Sequence, residues 1–225
     1  MDILEINLRD ADGNARLRLL LADADLLLTS SRPSSLQKLK LSWNELHPLF
    51  PRLCHVAIVG ESAGRAGVAG HDLTYQARAG LLREPRVPAI LAADVLGAQC
   101  AVSAALELLY VRERTGAGSY KEVAIADAAR EFSASIAHGL TSSEGVLGGA
   151  SPFYNVYRAA DGYIALAAIE PHFRERVLKC LELESEDRAA FERTFAKHSC
   201  RYWENAALDC DFPLAELLTN SNGEP

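Results

Sequence analysis

Apolar and polar residues alternate through ILEINL (residues 3–8) as in a half-buried strand, and the following ARLRLLLADA has helical spacing. DLLLTS (25–30) is a second strand, so strand, helix and strand predict a parallel βαβ unit with its ligand site at the carboxyl ends of the strands. Ser42 opens S-W-N-E, a capping box for a short helix that runs to about Phe50 before Pro51 stops it. LCHVAIVG (53–60) is nearly all apolar and predicts a buried third strand. A long apolar helix pattern then extends from Asp94, as N-cap, to Gly116, with Arg112 and Arg114 at its negative end. SYKEVAIAD reads as a further strand and AAREFSASIAHGL as a further helix.

TSSEGVLGGASP (141–152) is rich in glycine and serine and reads as a flexible linker. Beyond it, FYNVYRAADGYIALAAI predicts a hairpin turning at 160–162, followed by amphipathic helices in PHFRERVLKCLELE, EDRAAFERTFAKH and RYWENAAL. TNSNGEP (219–225) has little to bury and is expected to fray. The resulting fold class is α/β. A partial doubly wound, Rossmann-like parallel sheet occupies residues 1–140, and a smaller α+β domain occupies 151–225.

Composition adds limits to this picture. The 225 residues are 49% hydrophobic and 24% charged, with a formal net charge of -7, so bulk attraction to nucleic acid is disfavoured. No uninterrupted apolar run reaches the roughly 18 residues of a membrane span, and MDILEINLRD lacks the marks of a signal peptide. A soluble, cytoplasmic chain with no membrane partner is expected. The five cysteines show no C-x-x-C and no paired histidines, which predicts reduced structural thiols and no metal site.

The candidate chemistry lies between Gly60 and Asp94. His71 and Asp94 each fall at a predicted helix start, where the dipole keeps an imidazole neutral and favours a carboxylate unless burial raises its pKa. Two such groups on either side of an acidic carbon could remove a proton from one face and return it to the other. Asp94 could instead attack an acyl thioester, and both residues could simply cap helices. Gly60-Glu61-Ser62-Ala63-Gly64 also satisfies G-x-S-x-G, the nucleophile elbow of α/β-hydrolases, although no H-G-G precedes it. Glu170, Arg32 and Lys38 stand near strand ends, where position alone assigns them nothing.

In order along the chain, DLLLTSSRPSSLQKLKLS, PRLCHVAIVG, AGHDLTYQARAGLL, ILAAD, YVRERTGAGSYKEVAIADAA, FYNVYRAADGYIALAAIEPHF and FPLAEL resemble the family III CoA-transferases (CaiB/BaiF), most of all their α-methylacyl-CoA racemase branch. The resemblance covers nearly the whole chain. It implies that His71, in G-H-D, and Asp94 are the acid/base pair, and that Glu170, in I-E-P, supports the histidine. Arg32 and Lys38 match basic positions that meet CoA phosphates, and Gly70, Asp72 and Tyr75 match the thioester-binding turn. In the transferase branch the aspartate matching Asp94 is a nucleophile. The implied substrate is a 2-methyl-branched or related acyl-CoA, with no permanently bound cofactor, and the implied assembly is a homodimer. Ser34 and the V-G-E-S-A-G loop replace family glycines. The chain resembles the middle of the family, without its first strand-helix-strand region and most of its returning final segment.

Overall fold

A computed structural model describes residues 3–83 and 85–218. The chain forms two compact units, Met1–Ala134 and Ser135–Pro225. In the first, strands β1 (Leu26–Thr29), β2 (Cys54–Val59) and β3 (Tyr120–Ala124) make a parallel sheet in the order β1-β2-β3. Helix α1 (Ala11–Ala22) precedes β1, and α2 (Pro33–Lys38) and α3 (Trp43–Leu46) lie between β1 and β2. They are followed by α4 (Asp72–Arg78), α5 (Ala92–Thr115), α6 (Ile125–Phe132) and the single turn α7 (Ala134–Ala137).

Strand alternation decides which helices cover which face. Cys54, Val56 and the partly buried Leu26 and Ile58 pack with Ala101, Ala104 and Leu108 of α5. Leu27 and Leu53 pack with Leu21, Leu36, Leu41 and Leu46 of α1–α3 and the turns between them. Helices on both faces of a parallel sheet are the doubly wound arrangement expected, and they explain why β2 is apolar along its length. α5 is long and apolar enough to cross a membrane by length and composition. Its buried residues, Ala93, Gly97, Ala101, Ala104, Leu108 and Arg112, form one face within the first unit.

Several boundaries differ from those expected. Residues 3–8 form no strand, and Ile3 is 87% exposed. A period-two pattern needs an adjacent edge to bond, and here the chain turns locally: Asn7 accepts from Arg9 N at 3.2 Å, and Asp10 caps α1 by accepting from Gly13 N at 2.7 Å. The Ser42 box forms, with Glu45 Oε2 accepting from Ser42 Oγ at 2.7 Å, but α3 ends at Leu46. α5 begins at Ala92, with Leu91 in the capping position, so Asp94 is the third helical residue. Residues 141–152 are folded in successive turns, including Gly145 N to Ser142 O at 2.8 Å and Leu147 N to Leu140 O at 3.0 Å. They form an ordered connection.

In the second unit, β4 (Tyr154–Arg158) and β5 (Tyr163–Ala167) make the expected hairpin, and β6 (Leu214–Glu216), from FPLAEL, pairs antiparallel with β5. Helices α8 (Pro171–Leu181), α9 (Arg188–Phe195) and α10 (Cys200–Cys210) enclose Phe153, Phe191, Phe195 and Trp203. Trp203 Nε1 donates to Phe195 O at 2.8 Å, which satisfies its polar atom within the core. The expected fraying of 219–225 lies outside the described residues.

Candidate active site

The carboxyl ends of β1 and β2, the loop after β2 and the starts of α4 and α5 meet at one cavity of about 500 Å³. His71, Asp94, Gly70, Tyr75 and Arg32 all line it. His71 is the residue before α4, and its backbone is fixed by Thr74, whose hydroxyl accepts from His71 N at 3.1 Å and donates to His71 O at 2.8 Å. The His71 backbone is therefore held by these bonds, and the exposed residue lines the cavity.

Asp72, expected in the thioester-binding turn, points inward and is buried. One of its oxygens accepts from Asp94 N at 3.0 Å and the other from Gln76 Nε2 at 2.6 Å. Leu91 has no side-chain acceptor to offer the first turn of α5, so Asp72 supplies it from the neighbouring helix. Gln76 also donates to Ile90 O at 3.0 Å, which ties α4 to the residues entering α5. The same arrangement sets the electrostatics of Asp94. Burial raises its pKa above the usual carboxylate value, the nearby Asp72 carboxylate raises it further, and His71 opposes both.

Tyr75 is buried, with its hydroxyl against the backbone at Gly60 and Gly70. A Cβ at Gly60 would lie 2.2 Å from Tyr75 Oη, and one at Gly70 would lie 2.4 Å from it. Burial raises the Tyr75 pKa, as do the negative charges of Glu61 and Asp94. The phenol therefore stays protonated beside the cavity.

Lys38 lies elsewhere. It lines a groove of about 870 Å³ with Arg9, Arg18 and Lys40. A third space of about 320 Å³ is lined mostly by leucines. It shares Leu8 and Leu39 with the groove, and Ser30 and Ser31 with the cavity. Glu170 is in the second unit, as the exposed residue that precedes α8.

The nucleophile-elbow reading fails on context. No helix follows β2 directly; residues 61–70 are a turn-rich loop, whereas the elbow needs a strand-turn-helix. Ser62 is hydrogen-bonded to Asp127, whose pKa is lowered by that bond and by Arg130. A carboxylate partner does not make Ser62 the member of a serine-imidazole pair. Sequence patterns also gave no sign of Gln76 and Glu61, because their contacts join segments with no local spacing rule. The nearest clue is the polar character of both positions beside apolar ones.

Residues 3–221 match the model of CoA-transferase family III. The chain belongs to this family. Among its relatives, the human alpha-methylacyl-CoA racemase is 32% identical over 203 residues, which cover 82% of this chain and 53% of that protein. Succinyl-CoA–D-citramalate CoA-transferase of Chloroflexus aurantiacus is 26% identical, over 92% of this chain and 54% of that one. The family III chain thus spans about half the length of the curated relatives it matches. In fold it is similar to a hypothetical protein from Mycobacterium tuberculosis, with a TM-score of 0.84 at 20% identity over 96% of this chain and 69% of that one. It is also similar to a CaiB/BaiF family protein from Brucella suis, with a TM-score of 0.76 at 20% identity over 95% and 65%.

Proposed function

We propose that this family III chain acts on an acyl-CoA and epimerises the α-carbon of a 2-methylacyl thioester by proton exchange between His71 and Asp94. The observation that carries this reading is their place on one cavity; a leucine-lined space shares Ser30 and Ser31 with it, and a groove with four cations shares Leu8 and Leu39 with that space. A CoA thioester has matching parts: an anionic nucleotide, a slender linking arm and a reactive acyl end. Lys38, Arg9, Arg18 and Lys40 would meet the phosphates, and the thioester would reach His71 and Asp94.

The two groups suit opposite roles. The imidazole of His71 would accept the α-proton, while burial and Asp72 push Asp94 towards the protonated form that can give a proton to the other face. The enolate oxygen formed between these steps cannot use Asp94 N–H, which is bonded to Asp72. It would draw on the first-turn amides of α4 beside His71. Transferase relatives motivate a second reading, in which Asp94 attacks the thioester carbonyl. Burial and the neighbouring Asp72 disfavour the carboxylate form that such an attack needs.

The test is proton exchange at C2 of a 2-methylacyl-CoA in deuterated water. Exchange above buffer is expected for the wild type from both enantiomers, with a loss of about 100-fold or more from one enantiomer in His71→Ala and from the other in Asp94→Ala. No wild-type exchange, or undiminished exchange in both variants, would reject the proposal.

A further inference from the structure

The loop from Gly60 to Gly70 forms one wall of the cavity through Ala66, Val68 and Ala69. Its backbone makes two turn bonds within the loop, Arg65 N to Ser62 O at 3.1 Å and Val68 N to Arg65 O at 2.8 Å. Ala63 has φ +55°, a left-handed conformation disfavoured for a residue with a Cβ. A short loop with that cost needs outside anchors to keep a single shape, and the Ser62 bond to Asp127 of α6 is one.

Glu61 is placed to supply another, to α4. Its side chain is only 12% exposed, and its two oxygens pair with different arginines: one with Arg65 Nε at 3.2 Å, within the loop, the other with Arg78 Nη1, in the last turn of α4. One carboxylate therefore joins the cavity wall to the helix that begins after His71. Tyr75, on the same helix, fills the space between the two ends of the loop at Gly60 and Gly70. Helix and loop are thus joined by an ion pair near one end and by ring packing across the other.

We propose that Glu61 is a positioning residue: its pairing with Arg78 and Arg65 pins the 60–70 loop to α4 and so fixes the acyl-CoA cavity wall. The consequence for catalysis rests on the acyl-CoA reading above, whereas the pinning itself does not. Both arginines keep more than half of their side-chain surface in solvent, so each pair is individually modest. The common buried carboxylate makes them act together.

Hydrogen exchange followed by mass spectrometry tests the clamp without any activity. In Glu61→Gln, amides 62–70 should exchange about fivefold faster than in the wild type, while strand amides 154–167 remain unchanged. Arg78→Gln should show a smaller increase, and the double variant should be no faster than Glu61→Gln alone. Steady-state kinetics should show KM raised about fivefold with kcat changed less than twofold, since His71 and Asp94 keep their groups. Unchanged loop exchange in Glu61→Gln, or independent contributions that multiply in the double variant, would overturn the proposal. A wild type with no C2 exchange would reject the reaction, and the loop amides would still decide the clamp.

Discussion

His55 shows how one buried residue can set the acid limit of the first unit. It is 1% exposed on β2; its Nε2 lies 3.0 Å from Thr29 Oγ1, and its Nδ1 has no partner among the described residues. Burial pushes its pKa down from 6.5 to about 4. The folded form therefore resists a proton that the unfolded chain accepts, so stability is full above pH 6.5 and falls as pH drops from 6.5 towards 4. The loss from this residue approaches about 3 kcal/mol. Denaturant unfolding of wild type and His55→Gln over that range should show a shallower decline in the variant, which can still bond to Thr29. Parallel declines would contradict the assignment. Asp94 carries the opposite kind of perturbation, a raised acid next to another carboxylate, and that is the more useful one for chemistry than for stability.

At the level of elements, the site depends on how closely α4 meets the loop after β2. Tyr75 distinguishes the two glycines that flank that loop. At Gly60 only the hydroxyl oxygen stands closer than 3 Å to an added Cβ, whereas at Gly70 the ring atoms Cε1 and Cζ both stand at 2.6 Å. Gly60→Ala and Gly70→Ala should each destabilise by about 1–3 kcal/mol in denaturant unfolding. Tyr75→Phe should recover much of the first loss and little of the second; equal rescue of both would refute this packing. Such contacts were not legible in the sequence. What was legible followed local rules: the buried strand β2, the Ser42 box, the hairpin at 160–162, and Gly116 ending α5. Residues 3–8 misled because alternation reports a face to bury but not an edge to pair with. Asp94 has the sequence signature of a cap because an acidic residue at a helix start usually caps its own helix. Here Asp72 performs that task across helices and leaves the Asp94 side chain for the cavity.

Across the whole molecule, family membership and doubly wound fold agree with the order of motifs along the chain. Breadth of resemblance decided what no short motif could: five residues matched the hydrolase elbow, yet their surroundings did not. The finer choice between proton exchange and acyl transfer rests on the paired positions of His71 and Asp94. A two-base site makes a demand that a one-base or nucleophilic site does not, because each enantiomer presents its α-proton to a different residue. The most direct measurement is the initial rate of C2 deuterium incorporation from each pure enantiomer of a 2-methylacyl-CoA, in wild type, His71→Gln and Asp94→Asn. The account predicts incorporation from both enantiomers in the wild type, with each variant losing it mainly from one, and not the same one. Equal loss from both enantiomers in both variants, or no incorporation by the wild type, would contradict it.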